Sequence, residues 1–310
     1  MGKLDSISPS IMMKEYAQGA AQSFIQPVAD FIAPFVPVAN STGRYKKYTE
    51  KNRFSIPDTV RSIGGPAAQI SFDASDETYN CEHNAIDYPI DILEQIEAGQ
   101  LESMSEEGAR AVAEVAGLKH EKTVVDAALA ADASPTNLTL GTDDLIDGMD
   151  DLILDVTKAA RYGSIMNIGI VFGATAFKNW KNDDSVKNRY NGGTRGNKRI
   201  ISPSIEDVGA LLVGNPEARV TYTVYDSNGP GEADNMEFLM TNSILIFART
   251  PQPTRRDPGF MKTFRLSNRW MVPGNYASPD GRVEFVKFDW SEDVKVTNTQ
   301  AIQRINLVSS

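Results

Sequence analysis

Apolar residues recur at helical spacing between residues 105 and 131. The periodic positions lie three, four or seven residues apart, at Val112, Val115, Leu118, Val125 and Leu129. This spacing predicts a long helix with one narrow apolar stripe. The many carboxylates in the same stretch favour a helix that lies on a sheet and exposes its other face to water. A shorter apolar group, formed by Ile92, Leu93 and Ile96, predicts a brief helix that ends near Gly99.

A second helix is predicted over residues 142–163. Its apolar stripe consists of Leu145, Met149, Leu152, Ile153 and Val156. Thr142 is in position to cap the start of this helix, and Gly163 is the residue type that commonly follows a helix end. The apolar run Ile165–Phe172 comes next and predicts a buried strand.

The remainder of the chain is mostly strand by the same criteria. Short helices are predicted over Thr175–Lys181 and Ser204–Val213. Strands are predicted over Arg219–Tyr225, Met236–Ala248, Phe264–Trp270, Arg282–Trp290 and Val294–Ile305. Because helices and strands are mixed without a regular alternation, the predicted fold class is α+β.

Residues 1–43 carry apolar side chains that are repeatedly interrupted by proline. Pro27, Pro34 and Pro37 divide this stretch, and proline excludes both a long helix and a central strand there. Two interpretations remain open. The segment is either an extended arm laid across another surface or an arm folded back on its own domain.

Residues 44–72 predict two strands that are separated by a polar loop. Arg44–Tyr48 begins the first strand, and Ala68–Phe72 alternates with period two as the second. The connection contains the stretch 54–61 followed by Gly64-Gly65-Pro66. A tip this long and polar is expected to project from the core and to contact a partner.

Length and composition are those of an ordinary globular protein. The 310 residues are 41 % hydrophobic and 23 % charged, which argues against disordered and membrane-spanning classes. No apolar run approaches the roughly 18 residues that a spanning helix needs. The first residues lack a positive region followed by an apolar stretch, so no secretory signal is expected.

The net charge of −10 is distributed unevenly along the chain. Residues 1–65 carry +3, residues 66–155 carry −18 and residues 156–310 carry +5. The acidic block could meet basic surfaces of neighbouring subunits and set their register, or it could be a solvated face that aids solubility. An acidic protein without clustered basic and aromatic residues is not expected to bind nucleic acid generally.

Residue types exclude several kinds of catalytic site. One cysteine and two histidines cannot form an intrachain disulfide or a cysteine zinc site, and they leave little for histidine chemistry. Cys81 and His83 would share a strand face, but a small buried cysteine is the favoured interpretation. The stretch 191–199 combines glycines with basic residues yet lacks the closing Gly-Lys-Ser/Thr of a phosphate loop.

An aspartate cluster is the strongest candidate for metal chemistry. Its members are Asp143, Asp144, Asp147, Asp150 and Asp151. Carboxylates are favoured in the first turns of a helix by its dipole, and no calcium-loop spacing is present. No cofactor and no metal are therefore expected.

The order of these motifs resembles the major capsid proteins of tailed phages, which have the Hong Kong 97-type fold. The resemblance rests on Arg44-Tyr45-Lys46-Lys47-Tyr48, then Phe54-Ser55-Ile56-Pro57-Asp58-Thr59, Ile70-Ser71-Phe72, Glu77-Thr78-Tyr79-Asn80-Cys81 and Asn84-Ala85-Ile86-Asp87-Tyr88-Pro89-Ile90. In that family such a series leads into a long spine helix, and residues 105–131 occupy the corresponding position in this sequence. Gly173-Ala174-Thr175-Ala176-Phe177-Lys178-Asn179-Trp180 resembles part of the family's axial domain.

The resemblance implies a layout for the whole chain. Residues 1–43 would be an N-terminal arm, 44–72 an extended β-hairpin loop, and 73–141 a peripheral domain with the spine helix. Residues 142–250 would be an axial domain, and 251–310 would return to the peripheral sheet. On this layout, a chain lacking residues 2–38 is expected to fold but not to assemble.

The implied function is that of a structural protein rather than an enzyme. Subunits would form the pentamers and hexamers of an icosahedral phage head, assembled in the host cytoplasm around non-specifically contacted double-stranded DNA. A scaffolding protein and a portal are expected partners. The scaffold is expected to be a separate protein, or else the chain is processed. No membrane association is expected. Expected assembly contacts are Phe31, Phe35, Tyr45, Lys46, Lys47, Phe54, Pro57, Asp58 and Arg61. The alternatives are an encapsulin-like nanocompartment shell and, less favoured, a metal-dependent hydrolase that uses the Asp143–Asp151 cluster.

Overall fold

The computed structural model describes most of the chain as helices and strands around two sheets. The described residues are 28–47, 60, 75–93, 101–160, 168–191, 201–228, 233–250, 252–267, 269 and 272–309. Within them the helices are α1 (Ala29–Ile32), α2 (Leu101–Ala131), α3 (Leu145–Ala160), α4 (Ala174–Asn182), α5 (Asp184–Tyr190) and α6 (Val208–Leu211). None of these helices is long and apolar enough to cross a bilayer.

The strands are numbered in chain order. They are β1 (Phe35–Val38), β2 (Thr42–Lys47), β3 (Ser75–Asn80), β4 (Glu82–Asp91), β5 (Thr136–Thr139), β6 (Ile168–Gly173), β7 (Glu217–Thr221), β8 (Val224–Asp226), β9 (Met236–Phe238), β10 (Ser243–Ala248), β11 (Met261–Leu266), β12 (Val272–Ala277), β13 (Val283–Val296) and β14 (Ile302–Val308). Helices and strands are thus mixed, as the α+β prediction requires.

The first sheet is built on the long strand β13, which pairs with β4, β11 and β12, while β1 pairs with β11. Helix α2 lies across this sheet. Its contact side consists of Ala109, Val112, Ala113 and Ala116, which pack against Ile90, Val286, Phe288 and Trp290. The small alanine side chains allow the helix backbone to approach the sheet closely.

The second sheet has the order β5-β14-β10-β6-β7 and contains the largest core. Every residue of β6 and β10 is buried, and apart from Ser243 at the start of β10 neither strand carries a polar side chain. Helices α3 and α4 bring Met149, Ile153 and Trp180 into the same core. Residues 251–310 were expected to return to a single sheet. Strands β11, β12 and β13 do belong to the first sheet, but β14 joins the second, so the expectation is corrected for residues 302–308.

The long helix is confirmed, and its buried side matches the predicted stripe in part. Val112 and Val125 are buried as expected, whereas Val115 is 54 % exposed and Leu118 lies at the margin. Alanines complete the stripe, and their weak hydrophobicity hides them from a pattern based on large apolar residues. For α3, Asp144 rather than Thr142 is the cap, since its Oδ1 accepts the Ile146 and Asp147 amides at 3.1 and 3.3 Å.

Strand positions were predicted better than strand bounds. The run 219–225 is two strands, β7 and β8, and the run 236–248 is β9 and β10 with a break between them. Predicted strand 264–270 is shifted to Met261–Leu266, and 282–290 extends to Val296. Strands β1, β3, β4, β5 and β12 were not predicted, and the last four have little period-two alternation. The predicted strand 68–72 lies outside the described residues.

Most side chains of residues 28–38 pack into the core of the chain itself. The ring of Phe31 packs edge-on against Phe247 with centroids 5.6 Å apart, and β1 pairs in parallel with β11. Pro37 is tolerated because β1 is an outer strand. This part therefore follows the second interpretation, folding back on its own domain, and residues 1–27 lie outside the described range. A deletion of residues 2–38 would remove core residues, so a deletion that tests the arm has to end at residue 27.

Candidate assembly surfaces

The base of the predicted extended loop is a six-residue ladder between β2 and β3. The pairs run from Thr42 opposite Asn80 to Lys47 opposite Ser75, so residues 48–74 leave and return at one point. Lys46 and Asp76 form an ion pair at 2.6 Å, and this contact holds the pKa of the Asp76 carboxyl below its usual range. Because both side chains are exposed, the pair contributes little stability.

Aromatic packing fixes this ladder to the first sheet. The rings of Tyr45 and Tyr79 lie 5.3 and 4.7 Å from the ring of Phe264, centroid to centroid, and all three are buried. The Tyr45 hydroxyl donates to Glu77 at 2.7 Å. Burial, reinforced by this carboxylate, raises the pKa of Tyr45. The loop base is therefore a rigid element of the subunit.

A glycine makes the packing of Tyr79 possible. Gly43 lies directly opposite Tyr79 in the ladder, and a Cβ at this position would approach the Tyr79 ring atoms to 2.6 and 2.8 Å. The ring covers the glycine backbone instead of a side chain, an arrangement that protects a glycine within a strand.

Gly43→Ala is expected to destabilise the chain by about 1–3 kcal/mol, because the added methyl displaces a buried ring. Gly274→Ala is the matched control: it also lies in a strand, but its Cβ would meet only the flexible end of Lys287, at 2.9 Å from Cε. Chemical denaturation should separate the two variants. Equal midpoints would show that Tyr79 does not depend on Gly43.

A buried lysine organises the loop that supports the ladder from the other side. Lys262 donates through Nζ to the carbonyls of Thr254 and Asp257 at 2.7 and 2.8 Å and pairs with the Asp257 carboxylate at 2.9 Å. Burial lowers the pKa of Lys262. The carbonyl of Arg255 then accepts the Lys46 amide at 3.2 Å, which ties the loop to β2.

A network of charged side chains joins α1, α2 and the first sheet. His120 Nδ1 lies 3.1 Å from Glu292 Oε1, and Arg265 Nε donates to Glu292 Oε2 at 3.3 Å. Asp30 lies 3.7 Å from Arg265 and 3.9 Å from His120. Burial alone would raise the pKa of Glu292, but the hydrogen bonds and charges of His120 and Arg265 outweigh burial and hold it below the usual range.

The chain is expected to lose stability below pH 4.5, the ordinary pKa of a glutamate, in part through Glu292. Because its pKa is lower in the folded state, the contribution of Glu292 is present above the unfolded value and is lost as the pH falls through the folded one. When melting temperature is measured as a function of pH, its fall at acidic pH should therefore be less steep for Glu292→Gln than for the unaltered chain. A Glu292→Gln curve that runs parallel to that of the unaltered chain through the acidic range would contradict this role.

Comparison with solved structures identifies the fold. A phage-related protein from Bordetella bronchiseptica RB50 is similar over 96 % of this chain and 97 % of that one, with a TM-score of 0.71 at 15 % identity. The mature capsid of bacteriophage PhiM1 gives a TM-score of 0.52 at 11 % identity, over 89 % and 86 % of the two chains. The chain has the Hong Kong 97-type fold of phage capsid proteins.

The Hong Kong 97-type fold also occurs outside phages. The holo-SrpI encapsulin complex from Synechococcus elongatus PCC 7942 gives a TM-score of 0.55 at 10 % identity, over 89 % of this chain and 85 % of that one. In sequence, 63 residues are 32 % identical to the major capsid protein of Pseudomonas phage JBD67. That alignment spans a fifth of each chain (20 %), and no protein-family model matches.

The structure places the expected assembly residues in three different settings. Phe31 and Tyr45 are each 2 % exposed and serve the core of their own subunit. Phe35 is 52 % exposed, beneath Arg265, and Lys46 is half-exposed. Lys47 ends β2. The remaining expected contacts, Phe54, Pro57, Asp58 and Arg61, lie outside the described residues.

Three features that matter to these surfaces were not anticipated from sequence. They are Phe264, Glu121 and the exposed pair Met236 and Phe238. The first two are recognisable only from tertiary packing. The exposed pair could have been recognised, since Met236 and Phe238 alternate with polar residues, but the sequence prediction treats residues 236–248 as one strand.

The aspartate cluster is occupied by structural hydrogen bonds. Asp143 accepts the Thr139 amide at 2.6 Å, Asp147 pairs with Arg189 at 2.7 Å, and Asp150 accepts the Val213 amide at 2.9 Å. Within the part of the chain that the structure describes, no three acidic, histidine or cysteine side chains are grouped for metal binding.

Cys81 is a packing residue. It is buried, its thiol contacts the Phe264 carbonyl at 3.4 Å, and burial raises the pKa of the thiol to about 11. His83 faces Ser291 instead, with Nδ1 in hydrogen-bond contact with the hydroxyl. This arrangement confirms the small buried cysteine and offers no activated thiolate.

Proposed function

We propose that the chain is the major capsid protein of a tailed phage, assembling as pentamers and hexamers of an icosahedral head around double-stranded DNA. The observation that carries the proposal is the fold match to the mature capsid of bacteriophage PhiM1, over 89 % of this chain at a TM-score of 0.52, beside the match to a phage-related protein over 96 % of the chain at 0.71. The partial sequence identity to a phage major capsid protein favours a phage head over other uses of the fold.

The geometry of the loop base supports a role in assembly. A ladder anchored by three buried aromatic rings holds the two ends of residues 48–74 against the first sheet. Fixing residues costs roughly 1–2 kcal/mol each, and contacts shared with neighbouring subunits would offset that cost. The predicted extended loop would then cross an adjacent subunit, with Phe54, Pro57, Asp58 and Arg61 among its contacts.

The way in which the candidate reactive groups are used supports a structural rather than a catalytic role. Four of the five carboxylates in the aspartate cluster accept backbone amides or pair with arginine, and the Cys81 thiol is buried with its pKa raised to about 11. A scaffolding protein and a portal are proposed partners. DNA would be contacted without sequence specificity, and the location would be the virion after assembly in the host cytoplasm.

An encapsulin-like shell is the second candidate, supported by the similarity to the Synechococcus complex at a TM-score of 0.55. The two candidates share a closed shell and differ in content. A phage head would hold DNA and would need a portal, whereas a nanocompartment would hold a protein cargo.

Negative-stain electron microscopy with sizing chromatography tests the proposal. The full chain, alone and with the products of its neighbouring genes, is expected to give closed shells or capsomer rings. Nuclease-protected DNA in particles made with the neighbouring gene products would distinguish a phage head from a nanocompartment. A monomer under every condition would contradict both candidates.

A further inference from the structure

The hairpin formed by β8 and β9 presents an apolar face to solvent. Val224 pairs with Phe238, and Asp226 pairs with Met236, so these four side chains share one face. Exposure is 43 % for Val224, 42 % for Phe238 and 67 % for Met236. Tyr222, just before β8, is 53 % exposed. Exposed large apolar groups gathered on one small element indicate an interaction surface.

The opposite face of the hairpin is fixed to its own subunit. Lys122 of α2 lies over the ring of Tyr225, with Nζ 4.3 Å from the ring centroid. The Leu239 amide donates to the Thr223 carbonyl at 3.0 Å and closes the base of the hairpin. The apolar face is thereby held outward, because the other face is already occupied by the helix.

Side chains hold together the ends of β8 and β9 that lie away from the base of the hairpin. Asp226 Oδ1 accepts the amides of Asn228 and Asn235, each at 3.0 Å, and these hydrogen bonds lower the pKa of Asp226. Asn235 Nδ2 donates to the Ser227 hydroxyl at 2.8 Å. A hairpin ordered before binding loses little conformational entropy when it docks.

A cavity of complementary character lies beside β7, an outer strand of the second sheet. Its volume is about 500 Å³, and it is lined by Val28, Phe177, Ile205, Ala218, Arg219, Val220 and Tyr222. Six of these seven side chains are apolar or aromatic. Met236 and Phe238 of another copy are the type of side chain that such a cavity accommodates.

Charge identifies the occupant as a second copy of this chain. The described hairpin residues 222–228 and 233–238 carry three carboxylates and no base. Among the described residues that line the cavity, the only charged side chain is Arg219, and with its ion-pair partner Glu217 and with Arg249, which also pairs with Glu217, it forms a rim of two cations and one carboxylate. Hairpin against hairpin would oppose like charges, whereas hairpin against cavity opposes unlike ones.

We propose that the apolar face of the β8–β9 hairpin docks into the cavity beside β7 of a neighbouring copy. This inference rests on the proposed function, because it names a contact between subunits of the shell. Met236 and Phe238 would supply the buried anchors, and Asp226 and Asp234 would lie toward the basic rim.

Assembly of a hairpin variant provides the first test. Met236→Asp combined with Phe238→Asp is expected to weaken subunit association by roughly 30-fold or more, as loss of central apolar anchors does. Leu154→Asp is the matched control, at 39 % exposure on α3, and should assemble like the unaltered chain. Circular dichroism checks that both variants fold. Normal shells from the double variant would overturn the proposal while leaving the capsid function intact.

Cross-linking provides a second test that does not depend on shells. Met236→Cys and Ala218→Cys are prepared separately, mixed and oxidised with copper–phenanthroline. A disulfide-linked dimer that forms only in the mixture is expected, since the two cysteines then belong to different copies. Dimers from Met236→Cys alone would show that one hairpin packs against another. The absence of a mixed dimer would show that the cavity has another occupant, such as residues 1–27 or a different protein. Either result would overturn the proposal, whereas a mixed dimer without shells would count against the capsid function alone.

Discussion

Phe264→Ala is expected to lower the free energy of unfolding by about 3–5 kcal/mol, as removal of a buried phenylalanine ring does. Phe264 is 0 % exposed, and its ring lies between those of Tyr45 and Tyr79. The variant removes the platform on which both strands of the loop base rest.

Chemical denaturation measures the loss, and limited proteolysis locates it. Cleavage within residues 48–74 should accelerate in Phe264→Ala more than the global change in stability explains. Phe285→Ala is the control: this ring also stacks on a tyrosine, Tyr276, at 4.9 Å, but it lies partly exposed at the far end of the same sheet. If both variants open the loop equally, Phe264 has no special role in anchoring it.

The elements that sequence predicted correctly are those with strong local signals. A 31-residue helix and the buried strand at β6 were both recognisable from the spacing or density of their apolar residues. The strand β4 was not, because Glu82–Asp91 is mostly exposed and has few apolar positions. Its strand conformation comes from ten residues of pairing with β13, a contact about two hundred positions away.

The role of the N-terminal segment could not be settled from its sequence. Prolines excluded a long helix and a central strand. The observed outer strand, which contains Pro37, violates neither exclusion. Whether that strand rests on its own subunit depends on long-range partners. The guanidinium groups of Arg219 and Arg249 each lie 4.4 Å from the ring centroid of Phe31, and no local pattern links these three residues.

Glu121→Leu is the second substitution expected to have a large effect. Glu121 is 1 % exposed on α2, and its two carboxylate oxygens accept the amides of Val28 and Ala29 at 2.8 and 3.0 Å. Leucine would leave both buried donors without an acceptor, at about 1–3 kcal/mol each. The first turn of α1 would then detach from the long helix, although removal of a buried charge offsets part of the loss.

Glu121→Gln separates the hydrogen bonds from the charge. Its one carbonyl oxygen can accept one amide, so its loss of stability should be smaller than that of Glu121→Leu. Burial raises the pKa of Glu121, so the folded state binds its proton more tightly than the unfolded state does. Stability from this group is therefore present at or below the ordinary pKa of 4.5 and falls as the pH rises through the folded-state value, opposite in sign to Glu292.

The two carboxylates can be distinguished by melting temperatures measured across the acidic range. Relative to the unaltered chain, Glu121→Gln should lose most stability at the acidic end, where the protonated Glu121 no longer carries a buried charge. Glu292→Gln should lose most at the neutral end, where its ionised carboxylate holds His120 and Arg265. The same pH profile for both variants would mean that the Glu121 carboxylate is not held in the desolvated setting between α1 and α2.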